Sequence, residues 1–465
     1  MFKAIISLLF SFSFINAQIS LPTFQAVHKP HNITSSTLST VGPVIDGRWA
    51  QVGAILANGT VKFWGRNGYG QLGQGHKRNI GDNSGEMGDN LPAIDLGTGR
   101  TATAISSGRY MAMALLDNGT VKAWGYGQFG QLGQGNTQYI GDGSGEMGDN
   151  LPAIDLGTGR TATKIDAGLY HNAAILDNGT VKAWGYNWSG QLGQGHTQNI
   201  GDGSGEMGDN LPAIDLGTGR TATAVSLGYL LTVVLLDNGT VKAWGYNTAG
   251  QLGQGNTQSI GDNSGEMGDN LPAIDLGTGR TATAIAAGNY HVVALLDNGT
   301  VKAWGYNSDG QLGQGNTQNI GDNSGEMGDN LPAIDLGTGR TATAIAAGAY
   351  FTLVLLDNGT VKCWGQGSYG QLGQGNTNDI GDGSGEMGDN LPAIDLGTGR
   401  TATAISGGYY LSIVRLDDGT IKAWGDGRYG QLGQGNTNYI GDGSGEMGDN
   451  LSPIDLSSSS DATLE

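Results

Sequence analysis

Residues 281–340 display the pattern from which most of the chain is built. An apolar stretch, Thr283-Ala284-Ile285-Ala286-Ala287, runs to Gly288, and a second spans His291 to Leu296. Asp297-Asn298-Gly299 separates it from a third, Thr300-Val301-Lys302-Ala303-Trp304. Asn-Gly between two apolar runs is a strong hairpin signal and predicts a type I′ turn with positive φ at both central residues. A glycine-rich loop through Gly310-Gln311-Leu312-Gly313 and an acidic stretch then lead to Leu331-Pro332-Ala333-Ile334-Asp335-Leu336. This reads as a fourth short strand whose proline fits an edge. Helical periodicity is absent throughout.

The same unit returns seven times at a period of 60 residues, marked by Trp64, Trp124, Trp184, Trp244, Trp304, Trp364 and Trp424. A fixed period in this range signals a repeat architecture, in which one unit cannot bury its apolar surface alone. The repeats run from 41 to 456 and are read as one domain. Short antiparallel strands with both faces apolar predict an all-β fold, a seven-bladed β-propeller of four-stranded antiparallel blades. The seven tryptophans are assigned to packing, each burying ~200 Å² at ~25 cal/mol/Å², a gross gain of roughly 5 kcal/mol. Ordering the 86 glycines offsets much of that gain. The position of Asn307 holds only Asn or Gly in the other copies, namely Asn67, Gly127, Asn187, Asn247, Gly367 and Gly427. That choice predicts a left-handed residue at a sharp turn.

Val301-Lys302-Ala303-Trp304-Gly305-Tyr306-Asn307, followed by Gly310-Gln311-Leu312-Gly313, resembles the repeat of the regulator of chromosome condensation family, and the resemblance covers residues 41–456. It implies a seven-bladed propeller with units of this size. The chain departs from the family where a histidine often follows Gly-x-x: only His171 and His291 stand there, against Met111, Leu231, Phe351 and Leu411.

The ends and the composition add a cellular context. Lys3, the apolar run Ala4 to Ile15, and Asn16-Ala17 before Gln18 have the three-part form of a secretory signal peptide. Residues 1–17 are read as a leader, 18–40 as a lead-in segment, and 457–465 as a short polar tail. Leu21-Pro22-Thr23-Phe24 resembles the fourth strand, so one expectation for the lead-in is an extra edge strand that competes with Leu451–Leu456 for one blade edge or caps it. An exported protein is expected, with no membrane span. The net charge of −19 arises in the repeats, and an acidic ring repels phosphate backbones, which argues against nucleic acid as partner. The one cysteine, Cys363, stands where other copies carry alanine or phenylalanine and reads as a small buried apolar residue.

Strand direction alternates, so the turn after the first strand and the loop after the third share one face. Differences between copies concentrate there, which makes that face the candidate recognition surface. Its candidate partner-binding residues are Arg109, Phe129, Tyr170, His171, Trp188, Tyr229, Tyr290, His291, Phe351, Tyr369, Tyr409, Arg428 and Tyr429. Aromatic and arginine side chains dominate interface energetics. The acidic loop, Asp322 to Asn330, is placed on the same face as a solvated turn. A calcium site there is conceivable from its oxygen ligands, but its glycine does not fit the EF-hand spacing. Histidines and carboxylates show no catalytic or metal-ligand spacing.

The expectation is a secreted, monomeric, non-enzymatic scaffold without cofactor or metal, binding a protein or glycan. The alternative implied by the resemblance is guanine-nucleotide exchange on a small GTPase. In the family's founding member a wedge inserted in one blade serves that reaction, whereas here every repeat has the same length.

Overall fold

A computed structural model describes residues 44–456. The proposed leader, the lead-in segment with Leu21–Phe24, and the polar tail lie outside the described residues. Seven separate antiparallel sheets are strung along the chain, each a meander of three consecutive strands. The first sheet comprises β1 (Val44–Arg48), β2 (Gln51–Ile55) and β3 (Val61–Gly65), and the second β4 (Ala102–Ser107), β5 (Met111–Leu116) and β6 (Val121–Gly125). In the second sheet Ala112 faces Trp124 and Ala114 faces Lys122, and a bulge between Ala102 and Ala104 shifts the register of the inner strand. The middle strand is buried along its whole length, because each sheet is covered by a neighbour on both faces.

The predicted fourth strand is present only as an extended segment. Leu91–Leu96 runs along the outside of β3 and joins it through a single backbone bond, Ile94 N–H to Val61 O at 2.8 Å, repeated by Ile154 and Val121 at 2.8 Å. Proline at position 92 removes one donor, and the Leu91 N–H is spent on Gly88 O of the preceding 3-10 turn, Gly88–Asn90. A ladder therefore does not form, and the blades have three strands plus a tethered edge.

The hairpins also differ from expectation. The N–H of Gly59 bonds Leu56 O at 2.9 Å, that of Leu56 bonds Thr60 O at 2.8 Å, and only the glycine has positive φ, +80°. This is a three-residue loop with a left-handed glycine closing a bulge, in which Asn58 keeps an ordinary φ. Nor does any residue at the Asn307 position adopt positive φ. Asn67 is there for its side chain, which accepts the Leu72 N–H at 2.9 Å and donates to His76 O at 2.7 Å. Gly127 is there for space, since a Cβ would sit 1.9 Å from Gln138 O.

The two conserved-looking motif halves within each repeat meet across blades. Each buried indole donates to the carbonyl of the Gly-Gln-Leu-Gly glutamine in the preceding blade, Trp124 Nε1 to Gln71 O at 3.0 Å and Trp184 Nε1 to Gln131 O at 3.0 Å. Beside it, the buried Lys122 donates to Leu96 O of the preceding blade at 2.9 Å and to Gly148 O of its own at 2.7 Å. Burial lowers the lysine pKa, opposed by Asp149 and Asp95. A third link joins Thr98 to Asp149, whose carboxylate accepts both the backbone N–H at 2.9 Å and the hydroxyl at 2.5 Å.

Blade seven makes the same connections to blade one. Trp64 Nε1 reaches Gln431 O at 3.0 Å, Lys62 Nζ reaches Leu456 O at 2.7 Å, and the Gly88 N–H reaches Asp455 O at 3.0 Å. Leu451–Leu456 thus fills the closing position, and the ring closes by repetition of its ordinary joint.

Candidate recognition face

The meander sends the turn after each inner strand and the loop after each third strand to one face. There the aromatic side chains form a connected system. Rings pass in contact from Trp49 to Tyr110 and Tyr126, then through Phe129, Tyr170 and Tyr229 to Tyr290, Tyr350 and Tyr409. Tyr409 returns to Trp49 with centroids 3.8 Å apart, closing a circuit around the central opening. Tyr69, Tyr139, Tyr186, Tyr246, Tyr306, Tyr369, Tyr410 and Tyr439 attach to this circuit or to its side branch. Tyr429 joins through Arg66, whose guanidinium lies 4.9 Å from its ring and 5.0 Å from that of Tyr110. All 16 tyrosines of the chain therefore belong to one face.

Arginines are interleaved with the rings. Arg109 stacks 4.1 Å from the Trp49 ring and 5.3 Å from that of Tyr170, and donates to the Tyr170 hydroxyl. Arg428 lies 5.0 Å from the Tyr369 ring and is fixed by a two-pronged bond to Asp426. Arg109 is partly desolvated, where such contacts are worth about 1–2 kcal/mol, whereas the exposed Arg428 contact is worth about 0.5–1 kcal/mol. Desolvation pushes the phenols of Tyr170, Tyr350 and Tyr409 up to about 12, and that of Tyr290 further, so all four remain neutral donors.

Most expected site residues are brought together here. Arg109, Phe129, Tyr170, Tyr229, Tyr290, Tyr369, Tyr409 and Tyr429 are half-buried and present one edge to solvent, and Arg428 is exposed. Trp188 is 66% exposed, the one exposed large apolar side chain among the described residues. His171, His291 and Phe351 are corrected: all three are wholly buried and present no surface to a partner. Their position begins the fully buried middle strand, one residue past the turn. The Nε2 atoms of His171 and His291 pair with Thr232 and Thr352 of the next blade at 3.1 and 3.2 Å. Desolvation lowers their pKa to about 3 and about 4, so both are neutral packing residues.

The residues missed from sequence are the tyrosines after Trp-Gly, such as Tyr126 and Tyr186, together with Trp49 and the channel residue Arg48. Six blades carry glycine where blade one has Arg48, and a Cβ on Gly108 would meet Gly168 O at 2.6 Å, so the opening is tight. Arg48 reaches across it to Leu227 O and pairs with Asp166 at 3.3 Å. Beside it lies a shallow open funnel bordered by Trp49, Arg109, Leu169, Asn289 and Tyr409. The half-buried Asp46 accepts the Ser107 N–H at 2.7 Å. Desolvation raises its pKa to about 6, against the lowering effects of Ser107 and Arg48.

The acidic loop begins on this face, where Asp142 lies against the tip residue Gly70 of the preceding blade, and leaves it at its far end. It follows the bridge between Gly125 and Ile140 and ends where Asp149 reaches the Gly-Thr-Gly-Arg connector at Thr98. Its order comes from Glu146, whose Oε2 accepts the N–H groups of Gly141 and Gly143 at 2.7 and 2.8 Å. Among the described residues no group of three or more His, Cys, Asp or Glu is placed to hold a metal ion. Cys363 is buried, with its thiol pKa raised by desolvation. No helix among the described residues is long and apolar enough to cross a membrane.

Comparison with known proteins agrees with this geometry. Residues 139–455 match the RCC1-like domain and residues 102–131 the regulator of chromosome condensation (RCC1) repeat. The ultraviolet-B receptor UVR8 of Arabidopsis thaliana is 28% identical over 72% of this chain and 68% of its own length. The E3 ubiquitin-protein ligase HERC2 of Homo sapiens is 26% identical over 82% of this chain, which spans only 7% of that protein. Yeast RCC1 (Prp20), solved with Kap60 bound, superposes with a TM-score of 0.60 at 16% identity, covering 92% of this chain and 90% of that one. The structural likeness concerns the fold alone, but the family match spans more than half of the chain, and the chain belongs to the RCC1-like family.

Proposed function

We propose that this RCC1-like ring is an exported recognition scaffold whose aromatic and arginine face binds a protein or glycan partner. The observation that carries the reading is the exposed Trp188 in a variable tip loop, on the face that also carries a closed circuit of half-buried rings. Amphipathic rings with their hydroxyls neutral and their orientation fixed lose little entropy on binding. Yeast RCC1 (Prp20), a structural neighbour, has been solved with Kap60 bound, so a protein with this fold binds another protein. Export rests on the form of residues 1–17.

The test uses the mature chain from Gln18 onward as bait in the native extracellular fluid, followed by titration of the captured partner. Trp188→Ala should weaken affinity about tenfold or more, as at interface hot spots, while the melting midpoint stays within about 2 °C of the parent. Equal affinity of parent and variant would overturn the assignment of this face. Nucleotide exchange is the competing outcome: a captured GTPase that releases its nucleotide faster in the presence of the ring would replace the scaffold reading.

A further inference from the structure

The turns between second and third strands lie on the face opposite the tyrosines. Six of them read Asn-Gly-Thr, at Asn58, Asn118, Asn178, Asn238, Asn298 and Asn358, and the seventh reads Asp418-Gly419-Thr420. In every one of the six the asparagine Oδ1 accepts the backbone N–H of the threonine at 3.0–3.2 Å. It also accepts the threonine hydroxyl at 2.7–2.8 Å. Asp418 Oδ1 accepts the same two bonds, at 3.0 and 2.7 Å. The turn therefore needs only an oxygen. The amide nitrogen serves no bond within the described residues, and each of the six side chains is exposed.

We infer that these six asparagines are N-glycan attachment sites, an assignment that rests on the export reading above. Asn-x-Thr is the acceptor pattern of the secretory route, where x is not proline. The donor is an oligosaccharide linked through its C1 to a polyisoprenyl diphosphate. Nδ2 forms the bond to C1 and gives up one proton, the C1–O bond to the diphosphate breaks, and the lipid diphosphate departs. The chain supplies the acceptor and the host transferase the catalysis.

A buried control sits on the other face. Asn187-Trp188-Ser189 also fits the acceptor pattern. Asn187, however, is wholly buried, with Nδ2 donating to His196 O and Gln198 O at 2.7 and 2.9 Å and Oδ1 accepting the Leu192 N–H at 2.9 Å. A glycan there would displace the tip loop, so Asn187 remains bare. Sugars then cover one face of the ring, interrupted at blade seven, and leave the tyrosine face open.

The full chain is to be expressed in eukaryotic secretory cells behind its own leader and, in parallel, behind the leader of an abundant secreted protein. Tryptic peptides ending at Lys62, Lys122, Lys182, Lys242, Lys302 and Lys362 differ in sequence, so occupancy is read at each site by enzymatic deglycosylation in heavy-oxygen water. The expected result on chain from the medium is occupancy at all six turns, none at Asn187, and loss of one glycan with unchanged folding in Asn118→Asp, which copies blade seven. Bare turns on chain recovered from the medium, or an occupied Asn187, overturn the assignment alone. Retention of the own-leader chain inside the cell overturns the export reading, and with it the occupancy of these turns in the living organism.

Discussion

Two tryptophans four residues apart separate structure from recognition at the scale of single side chains. Trp184 is wholly buried and bonded to Gln131, so Trp184→Ala leaves a cavity and removes one of two bonds to the Gln131 carbonyl, which keeps Asn172 Nδ2 at 2.6 Å; the loss of about 3–5 kcal/mol is readable as a lowered denaturant midpoint. Trp188→Ala removes an exposed ring and should move that midpoint little. Asp46 carries a pH dependence whose sign follows from its raised pKa. The protonated form is favoured by folding, so the stabilisation is full below the ordinary value of 3.8 and is lost as pH rises through about 6. Arg48, Asp166 and Ser107 face it and are unchanged in Asp46→Asn. The variant should therefore gain up to about 3 kcal/mol over the parent at pH 7.5 and nothing at pH 4. Thermal melts at the two pH values check this, and a gain that grows toward acid pH would contradict it. The packing role of the tryptophans was legible in their spacing. The burial of His171 and His291 was not, because a variable position next to a surface turn looks the same from sequence whether its side chain points out or into the sheet.

The hairpins were legible at the scale of elements because apolar runs and Asp-Asn-Gly punctuate them. Their bulged geometry was not, since Asn-Gly serves either turn. The fourth segment shows why propensity stops short of structure: Leu91–Leu96 has the apolar alternation of a strand, yet its proline and the preceding 3-10 turn leave one bond to β3. Its joint to the next blade rests on Lys122 and on Gly148, whose φ is +67° and whose Cβ would meet the Asp95 carboxylate at 2.2 Å. Gly148→Ala should accordingly destabilise the ring by more than 1 kcal/mol, measured by chemical unfolding, whereas Gly145→Ala, with open space around it but a φ of +79°, should cost only the conformational penalty of about 1 kcal/mol. The buried lysine joint gave no sequence signal. Val-Lys-Ala-Trp reads as a half-exposed strand, and only the three-dimensional meeting of two carbonyls explains a lysine there.

The seven-fold repeat, read from a constant period, is the feature of the whole molecule that sequence displayed best, and its closure is the feature that needed coordinates. Leu451–Leu456 supplies blade one with the same bonds that every other blade receives, so a chain ending at Asn450 should lose the Lys62 and Gly88 acceptors and melt at least about 5 °C lower. The polarity of the ring also emerges only at this scale. Tyrosines scattered over 60-residue intervals converge on one face, and the Asn-Gly-Thr turns on the other. Because every tyrosine in the chain lies on the proposed recognition face, chemical modification of tyrosine reads that face and no other. The most direct measurement is therefore the nitration rate of the 16 tyrosines, peptide by peptide, in the free ring and in its complex with the partner captured in the proposed test. Slower nitration of the half-buried circuit tyrosines, Tyr170 and Tyr229 among them, is the predicted result; a stable complex in which all tyrosines react as fast as in the free ring would contradict the account.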